Sequence, residues 1–372
     1  MNNEINFENK NNLKKLLNDK KFRKIFFITG KNSFNLSGAK NIFQDIFFEK
    51  KVSFFFKKEF VPQFAELKFL IKEILNFKPD LIIGCGGGCV IDYAKMANIV
   101  NLEEKLKSKI INLSLKTKKK AKLLIIPTTA GSGAEVTSNA VIYINKIKYS
   151  VEDQNLIPDY FFLLPELILK SSKKIKSSAG FDCLAQGIES LFAVKSTPES
   201  VKFSKKAIQI ALNNFTNFVS KPNLSNSYKM QLAANFSGKA INISKTIFPH
   251  AISYPFTSHF NISHGHAVSL FFESCIKFNY LNMNKNHANF NLNERFKILF
   301  NLFKVKNIND FTKKINNLKK ETNLDNNFIN LGIDLKSYKN KIIDEVNPLR
   351  LGNNPIKIDS EVIKLILENE NK

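Results

Sequence analysis

One stretch constrains this chain more than any other: Asp80-Leu-Ile-Ile-Gly-Cys-Gly-Gly-Gly-Cys-Val-Ile-Asp-Tyr-Ala-Lys95. A short apolar run with strand character leads straight into a glycine turn, and the turn leads straight into residues at helical spacing. Glycines at such a junction let backbone N–H groups approach a pyrophosphate closely. The helix that follows points its positive N-terminal end at the same anion. Gly86, Gly87 and Gly88 are therefore the residues expected against phosphate, with Asp92 on the same cofactor-facing segment. A tight turn alone also calls for glycine, so it is the placement between strand and helix that favours a nucleotide.

The rest of the first half fits the same pattern. Strands are expected at Lys24 to Thr29, Val52 to Phe56, Asp80 to Gly84, Leu123 to Pro127 and Tyr160 to Leu164, with helices at Gln63 to Asn76 and Val90 to Val100. Alternation of this kind builds a parallel sheet covered by helices. Beyond about Pro165 the strand signals fade, and Phe203, Ala207, Ala211, Phe215 and Val219 recur every four residues, the mark of a helix with one buried face. The expected organisation is a Rossmann-like α/β domain over residues 1–165 and an all-α domain over residues 166–372. With 372 residues, each domain can bury its own core. The Asn-rich stretch from Asn279 to Asn293 is expected to be a loop or a poorly ordered connection.

Composition narrows the setting. No apolar stretch reaches the length of a membrane helix, and the first twenty residues lack the apolar middle of a signal peptide, so a cytoplasmic location is expected. Cys85, Cys89, Cys183 and Cys275 form no CxxC pair and suit buried, reduced thiols. The net charge of +24 accompanies abundant Lys, Asn, Ile and Phe and no Trp, a pattern that AT-biased coding produces whatever the function. Lys118, Lys119 and Lys120 lack interleaved aromatics and are expected in a solvated loop rather than a nucleic-acid patch.

A second loop, Thr128-Thr-Ala-Gly-Ser-Gly-Ala-Glu-Val-Thr-Ser138, follows the strand ending at Pro127. Thr128, Thr129 and Ser132 could line a ribose or nicotinamide, or simply hydrogen-bond the loop internally. Together the two loops resemble the GGGSxxDxAK and PTTxGTGSE signatures of the iron-containing (group III) alcohol dehydrogenases. The resemblance continues through Leu156-Ile-Pro-Asp159, Ala179-Gly-Phe-Asp-Cys-Leu-Ala-Gln-Gly-Ile-Glu-Ser190, Pro249-His-Ala-Ile-Ser-Tyr-Pro255 and His264-Gly-His266, with a faint return at Asn347-Pro-Leu-Arg350. It implies a dinucleotide-binding domain, a helical domain, and a metal and substrate in the cleft between them. Where NAD-preferring relatives carry an acid after the first strand, this chain has Gly30 and Lys31. That pair spares a 2′-phosphate from repulsion and offers it a cation, so the expected cofactor is NAD(P)H with NADPH favoured.

The resemblance further implies one divalent ion, Fe²⁺ or Zn²⁺, held by Asp182, the residue at 186, His250 and His264; position 186 is Gln, not the family's usual His. His266 is either a proton donor to the product alkoxide or a structural imidazole, and Tyr254 stands where many relatives have another His. The segments around Gln186 and His250 are most similar to the branch that reduces phosphonoacetaldehyde to 2-hydroxyethylphosphonate in phosphonate biosynthesis. Lys195, Lys239 and Lys245 flank the metal residues as cations for a dianion, or as ordinary solvated lysines. The expected partner is a small aldehyde or alcohol rather than nucleic acid or membrane, with a homodimer among the assemblies left open. Competing functions are a dehydrogenase of the same family acting on another aldehyde or a sugar derivative, a dehydroquinate-synthase-like lyase, and a non-enzymatic basic nucleic-acid-binding protein.

Overall fold

A computed structural model describes residues 6–7, 10–44 and 46–369. Two compact units emerge: one runs to Thr129 and resumes over Ala134–Ser171, and the other comprises Ala130–Gly133 and the chain from Ser172 onward.

The first unit is built on a six-stranded parallel sheet. Its strands are β1 (Asn6–Phe7), β2 (Lys24–Gly30), β3 (Lys51–Lys57), β4 (Leu81–Gly86), β5 (Lys122–Pro127) and β8 (Tyr160–Phe162); β6 (Asn139–Ile144) and β7 (Ile147–Glu152) form a separate hairpin. The sheet order is β1-β8-β5-β4-β2-β3. β4 is buried along its whole length, as a strand with helices on both faces must be, which is why it reads as a continuous apolar run. Ile25, Phe27, Leu81, Ile83, Leu124 and Ile126 fill the core on one face with Phe34 and Phe43. The helices Phe64–Phe77 and Gly88–Ile99 bring Leu67, Leu70, Ile71, Val90 and Ile91 to the core as well.

The chain steps outward from β2 to β3 and then returns to the opposite side of β2 for β4. In an open parallel sheet, ligands bind outside the carboxyl ends of the strands where the order reverses in this way. The register pairs Thr29 with Cys85. Gly30 and Lys31, after β2, and Gly86 to Gly88, after β4, therefore stand side by side at that point.

The five expected strands are present, although β8 is shorter than the apolar run that announced it. The antiparallel hairpin β6–β7 was not anticipated. The lysine run departs from expectation too, because only Lys118 of the three is exposed. Lys119 Nζ donates to the Ile157 carbonyl (2.7 Å) and to Asp159 (3.1 Å). Lys120 Nζ donates to the carbonyls of Ala97 (3.0 Å) and Val100 (2.5 Å), at the C-terminal end of the Gly88–Ile99 helix. Cationic groups are favoured at such an end, although burial pushes this ammonium down to about 8.

The second unit is helical. Its centre is Lys173–Phe192, which packs against Pro198–Ser220, Leu224–Ser244 and His264–Ser269. Ser172 starts this helix by accepting from Ile175 N–H, a standard N-cap. The Asn-rich stretch is an ordered connection in part: the Phe272–Leu281 helix reaches into it, and Asn286 hydrogen-bonds Phe290 and Ala288 within it. No helix among the described residues is long and apolar enough to cross a membrane.

Candidate metal centre and cofactor loops

The glycine turn has the geometry an anion needs. Gly87 is the N-cap of the Gly88–Ile99 helix in extended conformation, and no side chain caps it. Amides of the first turn have no intrahelical acceptor, so those of Gly88 and Cys89 face outward from the helix end. Thr128 N–H donates to the Gly86 carbonyl at 3.0 Å, which ties the second loop to the first. A Cβ on Gly86 would lie 2.5 Å from Val90 Cγ2, whereas one on Gly87 would lie 3.3 Å from Thr129 Cγ2. Gly86 is thus required by internal packing, and Gly87 keeps open the space beside Thr129. Ser132 is half-buried, and Lys31 is exposed in the first turn after Gly30.

Asp92 turns elsewhere. Its carboxylate accepts from the Val141 amide in β6 and faces Lys95. Lys95 Nζ donates to the Thr137 carbonyl and hydroxyl and to the Asn139 carbonyl at 2.7, 2.9 and 2.9 Å. Burial pushes the Asp92 carboxyl up and the Lys95 ammonium down, and each charge opposes the other's shift. The pair anchors the far end of the second loop, a task the glycine motif did not reveal.

In the second unit, Asp182, His250 and His264 each offer a ligand atom, and the three atoms lie within 4.8 Å of one another. His250 Nε2 is 3.3 Å and His264 Nε2 is 3.9 Å from Asp182 Oδ1. His250 Nε2 is buried and forms no hydrogen bond. Its Nδ1–H donates to Glu189 Oε1 at 2.5 Å, and Glu189 Oε2 accepts from the Ile247 amide at 2.8 Å. One carboxylate therefore orients the imidazole and holds the start of the helix that carries it. Burial disfavours the imidazolium, but Glu189 and Asp182 outweigh it and raise the His250 pKa to about 10.

A divalent cation meets the need of this cluster directly. Two imidazole nitrogens and a carboxylate oxygen are a donor set for Fe²⁺ or Zn²⁺, and a carboxylate that accepts from the far nitrogen, as Glu189 does here, is the usual companion of a ligating His. Gly265 makes the convergence possible, since a Cβ there would lie 2.0 Å from the Ser178 carbonyl and 2.7 Å from Asp182 Cβ. Gln186, one turn beyond Asp182, donates its Nε2–H to Asp182 Oδ2 at 3.2 Å, while its Oε1 faces Ser237 Oγ at 3.2 Å.

The outer residues are placed less uniformly. Tyr254 lies against His264, ring centroids 5.8 Å apart. His266 does not join the cluster; its Nε2–H donates to the Asp325 carbonyl at 2.7 Å. Lys195 is exposed, and Lys239 sits over the Phe203 ring at 5.9 Å. Lys245 has φ 62° and ψ 177°, a conformation nearly confined to glycine. Asn353 Nδ2 holds the carbonyls on both sides of it, Ser244 at 2.8 Å and Thr246 at 3.0 Å. Glu189, Ser237 and Asn353 were not singled out in the sequence.

Residues 3–165 match the family model of iron-containing alcohol dehydrogenase, and residues 176–370 match that of the Fe-containing alcohol dehydrogenase family, C-terminal. The chain belongs to the iron-containing alcohol dehydrogenase family. It is 28% identical over 221 residues to phosphonoacetaldehyde reductase of Streptomyces viridochromogenes, covering 57% of this chain and 56% of that protein. It is 29% identical over 216 residues to 4-hydroxybutyrate dehydrogenase of Clostridium kluyveri, covering 56% and 57%. These matches span a little over half the length of either relative. In fold, it is similar to sulfoacetaldehyde reductase of Bifidobacterium kashiwanohense in complex with NAD⁺, with TM-score 0.84 at 23% identity over 98% of this chain and 95% of that one.

Proposed function

We propose that this protein is a metal-dependent, NAD(P)H-linked alcohol dehydrogenase acting as an aldehyde reductase, with phosphonoacetaldehyde as substrate and 2-hydroxyethylphosphonate as product. The observation that carries the metal-dependent reading is the convergence of Asp182, His250 and His264, with Glu189 fixing the His250 ring. When bound, the ion supplies Lewis acidity toward a carbonyl oxygen and the reduced nicotinamide supplies a hydride. Asp182, His250 and His264 hold the ion. The amides beyond Gly87, with Thr128 and Thr129, bind the cofactor's phosphates and ribose, and Gly30 and Lys31 accommodate a 2′-phosphate. Tyr254 lines the aldehyde site beside His264. His266, with Nε2–H committed to Asp325, holds its own segment in place, and the product oxygen takes its proton from solvent.

The substrate rests on different support. Two of the relatives are named for molecules with an anionic group remote from the reacting carbon, a phosphonate and a carboxylate. Lys239 and Lys245 lie in the segment that precedes His250 in the chain and carry the matching charge. A charge-assisted contact contributes about 1.5–3 kcal/mol, so two realised in the transition state give a preference of roughly a hundredfold or more. Steady-state kinetics should accordingly show kcat/KM for phosphonoacetaldehyde at least about a hundred times that for propanal, a margin that shrinks in Lys245→Met or Lys239→Met. Equal efficiency on the two aldehydes would refute the phosphonate assignment and leave the dehydrogenase standing.

A further inference from the structure

Ser237 is fully buried, and its hydroxyl faces two acceptors: Gln186 Oε1 at 3.2 Å and the Ala234 carbonyl at 2.9 Å. A hydroxyl has one proton and two lone pairs, so it cannot donate fully to both. The Ala234 contact is the shorter and lies within Ser237's own helix. When the proton stays there, the contact with Gln186 is best satisfied by the amide NH₂ donating to Ser237 Oγ. The two ends of an amide have the same shape and differ only in their hydrogen bonds. Turned that way, Gln186 directs Oε1 toward the Asp182 carboxylate. Two such oxygens repel unless a cation lies between them.

We propose that Ser237 is the positioning residue that allows the Gln186 amide to serve as an oxygen ligand. With an ion held by Asp182, His250 and His264, Gln186 presents Oε1 to it, Nε2–H donates to Ser237 Oγ, and the Ser237 proton stays on the Ala234 carbonyl. The structure has the amide in the other orientation, donating to Asp182 and accepting from Ser237, the one expected when no cation screens the two oxygens. Each arrangement gives one amide N–H an acceptor and the Ser237 hydroxyl a partner, so the two differ little in hydrogen bonding. The hydroxyl matters because it accepts in one state and donates in the other. This inference rests on the metal reading of the site and adds the means by which Gln186 is oriented.

The test is a Co²⁺ titration of metal-free protein, followed by the visible absorption of the bound ion, in wild type, Ser237→Ala, Gln186→Glu and the double variant. Removing an outer partner weakens metal binding by roughly 10- to 100-fold, and Ser237→Ala should do so while shifting the absorption band. A carboxylate at 186 has two equivalent oxygens and needs no orientation. Adding Ser237→Ala to Gln186→Glu should therefore change affinity by less than about twofold. An equal loss in both backgrounds would mean that Ser237 acts through packing, and no loss with Gln at 186 would remove its role; either overturns the proposal. His250→Ala serves as the control. If it abolishes Co²⁺ uptake while Ser237→Ala does not alter it, only the Ser237 proposal fails. If wild type takes up no Co²⁺, the metal reading fails and the proposal with it.

Discussion

His250 uses its two nitrogens differently, one turned toward Asp182 and the other spent on Glu189, so Glu189 controls the ring's tautomer as well as its orientation. A Gln at 189 offers one acceptor oxygen where the carboxylate offers two, and it must choose between the ring and the Ile247 amide. Glu189→Gln should lower metal affinity by roughly 10- to 100-fold in a chelator-competition titration; unchanged affinity would make Glu189 a packing residue. Lys245 poses the opposite question. Its φ of 62° carries strain of about 1–3 kcal/mol, which glycine would relieve. Lys245→Gly should gain about 1 kcal/mol in thermal unfolding, net of glycine's greater freedom when unfolded, and lose kcat/KM on the anionic aldehyde. A variant both more stable and fully active would show that the side chain has no part in substrate binding. Asp182, Gln186 and Glu189 could have been grouped from sequence, since spacings of four and seven share a helix face. The step to His250, sixty-one residues away, could not, because helical spacing says nothing about contacts between helices.

At the scale of elements, the glycine turn separates into two roles that its sequence shows as one. Gly86 is closed in by Val90, and Gly87 faces Thr129 with an ordinary negative φ of −78°. Gly87→Val should thus cost folding far less than a side chain at 86 would while crowding the space proposed for the cofactor's phosphates. Titration with NADPH should show affinity reduced by at least about tenfold, equivalent to roughly 1.4 kcal/mol; unaltered affinity in the folded variant would contradict the assignment of this turn. The central strands β2, β4 and β5 were legible because they are buried almost throughout and read as unbroken apolar runs. Edge strand β3, buried only at Phe55, was legible from its Phe54-Phe55-Phe56 run. The β6–β7 hairpin escaped notice because its turn is Asn145-Lys146, both at positive φ (53° and 67°). Such a turn is usually announced by Asn-Gly or Asp-Gly, and lysine in the second place hides it. The close approach of the His264–Ser269 helix to Asp182 depends on Gly265, whose meaning appears only when both helices are in view.

For the whole molecule, the net charge of +24 gave little guidance, and the structure explains part of the reason. Lys95, Lys119, Lys120 and Lys319 donate to internal carbonyls or carboxylates and are parts of the framework. Lysine count therefore overstates the positive surface available to a polyanion. The central claim is that Asp182, His250 and His264 hold an ion on which aldehyde reduction depends. It is tested most directly by the rate of NADPH oxidation with phosphonoacetaldehyde, measured on protein stripped of metal and on the same protein reloaded with Fe²⁺ or Zn²⁺. The account predicts that stripping abolishes turnover and that reloading restores it in wild type but not in His250→Ala. A full rate in rigorously metal-free wild-type protein would contradict it.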